Sequence, residues 1–121
     1  MNPTGHYLAV FVGSKKSPRW VTWDAMSETE RRAKESEGMS AWQAWGTRHQ
    51  ADVVMMGGPL SKTKRVSGRG TEDIANELTA FTVVRAASHE AAAKMFENHP
   101  HFTIFPGEAI EIMPVLQVPG A

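Results

Sequence analysis

Four β-rich stretches constrain this chain more than any other feature, because three of them are apolar on both of their alternating faces. They are YLAVFV (7–12), ADVVMM (51–56), ELTAFTVVRA (77–86) and AIEIMPV (109–115). Each has the length and side-chain type of a strand. In the last, Ile110 and Ile112 share one face while Glu111, Met113 and Val115 share the other. An antiparallel sheet with one wet face shows polar alternation, so these strands are expected to bury both faces.

Helical signals separate the strands. Ser27 and Glu30 form a capping box, which predicts a helix from Glu28 through ETERRAKESE to a weak point at Gly38, resuming as MSAWQAWGTRHQ. Its first half is polar and reads as solvated. Met39, Trp42, Trp45 and His49 recur at helical spacing and are expected to pack on the sheet. Ser88 and Glu90 open a second helix, HEAAAKMFEN, with Ala91, Ala92, Met95 and Phe96 on one stripe; Pro100 forbids its continuation. Residues 57–77 carry four glycines and read as a long loop between strands. Trp20 and Trp23 fall in a loop ahead of the capping box, as anchors or a lid.

The order is therefore βαββαβ. Right-handed crossovers put both helices on one face of a four-stranded antiparallel sheet, which is an α+β, ferredoxin-like arrangement. The second face then needs cover from another chain, and a two-fold homodimer is the simplest solution.

Composition narrows the function. The 121 residues, 41% of them apolar, suit one domain over 1–121. Thirteen Lys and Arg balance thirteen Asp and Glu, so no net field draws the chain to nucleic acid or an anionic membrane, and self-association is eased. With no cysteine there is no disulfide, thiol nucleophile or thiolate metal cage. The apolar run near the N-terminus is too short for a signal peptide or membrane span, so a cytoplasmic location is expected. The basic stretch SKTKRVSGRG lacks Walker spacing and interleaved aromatics. It reads as a solvated loop, with phosphate or carboxylate binding as the alternative.

Taken in order, the Trp42-x-x-Trp45 pair, GGPLSKTKRV, ELTAFTVVRAASHEAA, HPHF and IEIMPV resemble the YCII-related family, including its DGPF-type members, over most of the chain. The resemblance implies a dimeric α+β barrel, with sheet faces packed across the dimer and pockets between sheet and helices. Some relatives of that family resemble enzymes acting on aromatic or chlorinated rings. In YciI-type members a histidine early in the first helix pairs with an aspartate before the proline of the second. Those positions fall here near Ala41 or Trp42 and on His99, so that dyad is absent in its usual form. Gly57 stands where DGPF opens with aspartate, while Gly58, Pro59, Thr63 and Lys64 match.

Candidate chemistry rests on a short set of residues. His99 and His101 flank Pro100, where an imidazole either ties off the helix end or, at His101, serves as an acid/base group titrating near neutrality. A metal held by both with Glu108 or Glu111 is a further alternative, although His-Pro-His fixes no ligand geometry. Glu111 points away from the helices, either as a general acid or base or in a salt bridge with Arg85 or a loop lysine. Two tryptophans three apart cannot both point straight inwards. Trp42 or Trp45 should then line a cavity, with His49 one turn on and Pro59 at the glycine turn, around a small flat ligand.

The expectation is thus a homodimer binding a small, possibly aromatic molecule, with His101 or Glu111 moving a proton and no built-in cofactor or metal. The alternative is a non-catalytic sensing or interaction module. A third reading, drawn from the wider barrel superfamily, is haem binding or cofactor-free oxygenation.

Overall fold

The structure, a computed structural model, describes residues 5–119. Its elements are β1 (Gly5–Val12), α1 (Pro18–Ala25), α2 (Glu28–Arg48), β2 (Val53–Pro59), β3 (Thr63–Ser67), β4 (Gly70–Ile74), β5 (Leu78–Ala86), α3 (His89–Lys94), α4 (Pro100–Thr103) and β6 (Ala109–Pro114). Strands β2-β5-β1-β6 form one four-stranded sheet, every neighbouring pair antiparallel. The α+β fold with such a sheet, expected from the strand pattern, is therefore observed.

Alternation along β1 decides the faces. Tyr7, Ala9 and Phe11 are buried, while Leu8, Val10 and Val12 between them are only half-buried. On the first face Phe11 stacks on Trp42 with ring centroids 5.2 Å apart and meets Phe96 edge-on at 6.1 Å. The Trp45 indole crosses to the second helical segment, where its Nε1 donates to the Met95 carbonyl at 2.8 Å. These contacts set α2 and α3 side by side on the same face. On the opposite face Val10 pairs with Phe81 and Glu111, and Leu8 with Val83 and Met113. Met55 and Met113 are exposed there, and Phe81 and Val83 half-buried.

Several local expectations are corrected. Gly38 does not interrupt the first helix, which runs unbroken through 21 residues. A Cβ at Gly38 would come within 2.4 Å of the Phe105 ring, so the glycine is a seat for that phenyl group and not a break. Trp20 and Trp23 lie on a helix, α1, because Ser17 caps it through a bond from the Trp20 amide and Pro18 stands at its first position. The long loop is a β-hairpin: Thr63 to Ser67 pair with Ile74 to Gly70, and Gly70 takes φ +106° beside the turn. Its glycines mark the turn, and Lys64–Asp73 (2.7 Å) and Arg65–Glu72 (3.9 Å) span the strands.

The second strand begins at Val53 and passes through the Gly57-Gly58 pair up to Pro59, with shifts of register on the way. Gly57 has φ +69°, and a Cβ there would sit 2.0 Å from the Phe81 carbonyl oxygen, which excludes an aspartate in this conformation. The second helix stops at Lys94, well short of Pro100. Asn98 turns the chain at φ 59°, and Pro100 opens α4 instead of merely ending its predecessor. After Pro114 the chain leaves the sheet, its last rung being the Val115 amide to the His6 carbonyl at 2.9 Å.

Candidate functional site

A cavity of about 680 Å³ opens between the sheet and the helices. Its volume is that of a small-molecule site, which commonly lies between about 300 and 1,000 Å³. α1 supplies Trp20 and Trp23; α2 supplies Glu35, Met39, Trp42 and Gln43; β2 supplies Met56 to Pro59; β5 supplies residues 79–82; α4 supplies His101; and the strand-ward return after it supplies Phe105, Pro106 and Gly107. The lining is mostly apolar and aromatic. Trp23 and Trp42 each meet Phe105, with centroids 5.8 and 6.0 Å apart, so three aromatic rings form a connected wall.

Local geometry holds these groups in place. Along α2 Glu35, Met39, Trp42 and Gln43 stand at i, i+4, i+7 and i+8, one stripe of the helix. Phe105 is admitted by Gly38, as above. Arg19 ties α1 to the return segment by donating to the carbonyl oxygens of Phe102 and Phe105. Thr79 donates to the Phe11 carbonyl at 3.0 Å and Thr82 to that of Met56 at 2.8 Å, so both hydroxyl protons are directed into the fold.

His101 is buried and forms part of the cavity wall. Its Nε2 donates to the Val12 carbonyl at 2.9 Å, its ring meets Phe11 edge-on at 5.1 Å, and a Cβ at Gly107 would lie 2.2 Å from it. Burial pushes its pKa below the ordinary imidazole value, the Val12 and Ala109 backbone pulls it back up, and Arg19 lowers it again. His101 is consequently neutral near pH 7.

His99 has a different role. Its Nδ1 accepts the His101 amide at 3.0 Å, making it the N-cap of α4. The proton of the neutral ring then sits on Nε2, which has no hydrogen-bond partner and is boxed by Trp42 (4.6 Å, perpendicular), Phe11 and Trp45 (both 5.1 Å) and Phe96 (5.9 Å). Burial first, then the His101 and His49 charges, push its pKa down to about 3. An imidazole that refuses a proton cannot act as the helix-end cation considered above. Trp42 and His99 thus meet as an indole–imidazole pair.

The other sequence candidates separate. Trp42 and Pro59 line the cavity. Trp45 is 1% exposed and lies in the core, not in the cavity wall. His49 is the C-cap of α2, tilted on Trp45 at 4.8 Å; burial lowers its pKa, Arg48 lowers it further and Asp52 offsets part of this. Glu111 pairs with Val10 on the opposite sheet face, is exposed, and within the chain makes no ion pair among the described residues. His101 and Glu111 are thus not brought together in one chain. Among the described residues no three His, Asp or Glu side chains converge, and no helix is long and apolar enough to cross a membrane.

Sequence reasoning missed Glu35. Its signal is that Glu35 precedes Met39 by one turn on the stripe that leads to Trp42, although the polar first half of the helix reads as solvated.

No family model matches the chain, and no curated protein does. One solved structure of similar architecture is that of 5-chloro-2-hydroxyhydroquinone dehydrochlorinase (TftG) from Burkholderia phenoliruptrix AC1100, in complex with 2,5-dihydroxybenzoquinone. It shares 19% identity over 89% of this chain and 90% of that one, with a TM-score of 0.49.

Proposed function

We propose that this chain is a small-molecule-binding protein that works as a two-fold dimer and holds a flat organic ligand in the cavity beneath Trp20, Trp23 and Trp42. The observation that supports this reading is the cavity itself: about 680 Å³, aromatic-walled, with one buried imidazole in the wall. Rings stack on the indoles and Phe105, while His101 is the group able to take or give a proton at the ligand. Dimerisation is supported by the second sheet face, where Met55 and Met113 are 55% and 41% exposed beside Leu8, Val10 and Val83. Glu111 takes part in chemistry only if a second copy brings it to a cavity.

A non-catalytic binding module is favoured by a separate observation. The Nε2 proton of His101 is committed to Val12, and the positions that the resemblance gives a His–Asp dyad hold Ala41 or Trp42 and His99. The two readings divide on turnover. Calorimetric screening of small aromatic compounds, followed by product analysis with any binder, should yield at least one ligand that competes for the tryptophan-lined cavity. Loss of turnover with retained binding in His101→Ala supports the enzyme; binding with no turnover in the native chain supports the module. If no small aromatic compound binds, the reading fails. Sedimentation of a stable monomer at micromolar concentration would remove the dimer.

A further inference from the structure

The charge inventory of the cavity is lopsided. Among the described residues Glu35 is its only formally charged lining residue, since His101 is held neutral and none of the lysines or arginines described contributes to the wall. Glu35 forms no ion pair among the described residues, although Arg31 lies one turn earlier. Two cations line the neighbouring cleft and both have partners: Arg19 donates to the Phe102 and Phe105 carbonyls, and Lys34 stands 3.9 Å from Glu37.

Hydrogen-bonding capacity is lopsided in the same direction. Thr79, Thr82 and His101 each direct a donor into the fold, so the hydroxyl oxygens are left with lone pairs to offer. The remaining donors among the lining side chains are neutral: the indole N–H groups and the Gln43 amide. Indole faces attract a cation through their quadrupole, and a carboxylate at the rim adds to this.

Building on the cavity reading above, we infer that the site selects a cationic ligand: a flat aromatic amine or ring-nitrogen cation, its ring stacked on the tryptophans and its charge directed to the Glu35 carboxylate. Aromatic carboxylates and phosphates of the same shape are rejected, because desolvating an anion beside an unpaired carboxylate has no compensating partner.

Titration calorimetry of the full chain at low salt with three probes sharing one ring tests this: 3-methylindole (neutral), tryptamine (cationic) and indole-3-acetate (anionic). Tryptamine should bind about tenfold tighter than indole-3-acetate, with 3-methylindole between them. Glu35→Gln, at an exposed position where folding is not at stake, should compress the ratio to near unity, and added salt should do the same in the native chain. Equal or tighter binding of the acid, or a ratio unchanged by Glu35→Gln, overturns the charge preference. Should 3-methylindole bind while tryptamine gains nothing, the cavity stands and the preference falls; no saturable binding by any probe overturns both.

Discussion

The two halves of α2 lie over the same sheet and behave differently. Under the C-terminal half Trp45, Phe96 and His99 close against Phe11 with no exposed surface worth naming. Under the N-terminal half Trp20, Trp23 and Met39 stand around open space. The difference comes from what lies between helix and sheet. At the closed end aromatic rings interdigitate directly. At the open end α1 and the segment 101–107 hold the helix away, with Phe105 seated in the notch at Gly38 and Arg19 fastening both. Packing at one end and a cavity at the other are thus products of one helix with two kinds of neighbour.

The sharpest way to break that comparison is to cut the same residue type at each end. Trp45→Ala should cost about 3–5 kcal/mol of stability, as a buried indole that also loses its bond to Met95. Trp20→Ala, half-buried at the cavity, should cost less than about half as much while abolishing ligand binding. Urea unfolding of both variants measures the contrast, and equal losses would show that the cavity end is packed like the core.

Gly107→Ala comes next, at about 1–3 kcal/mol, because the added methyl overlaps the His101 ring. Its signature is a moved His101 imidazole resonance, with the Trp45 and Phe96 signals left in place. Spread of the disturbance to the closed end would mean that the two regions are one packing unit.

Acid provides a finer probe. His99 binds a proton in the unfolded chain below about pH 6.5 but in the fold only near 3. The unfolded state therefore holds more protons between those values, and stability present above pH 6.5 is lost as the pH falls towards 3. Between pH 7 and pH 5 the loss should be about 2 kcal/mol, with His101, also lowered, adding in the same direction. His99→Asn keeps a capping side chain and should flatten the slope; an unaltered slope would place the titration elsewhere.

The smallest effect belongs to the hairpin. Lys64→Ala breaks an exposed pair with Asp73 and should change stability by less than about 1 kcal/mol. A larger loss in thermal unfolding would show that β3 and β4 support the main sheet.

What the chain determined by itself was local. Alternation placed Phe11 and Val10 on opposite faces, the Ser27 and Ser88 caps started their helices, and the apolar stripes put Trp42, Trp45 and Phe96 against the sheet, since periodicity is set by neighbours in sequence. Only the tertiary structure decided which tryptophan would be core and which would face a cavity, that Gly38 and Gly107 are seats for Phe105 and His101, and that Glu35 joins His101 at the cavity while Glu111 stays on the far face where alternation had put it. The Gly38 seat joins residues 67 apart in sequence, and even the short Gly107–His101 contact depends on how the chain returns to the sheet; no local pattern records which ring will fill a given gap.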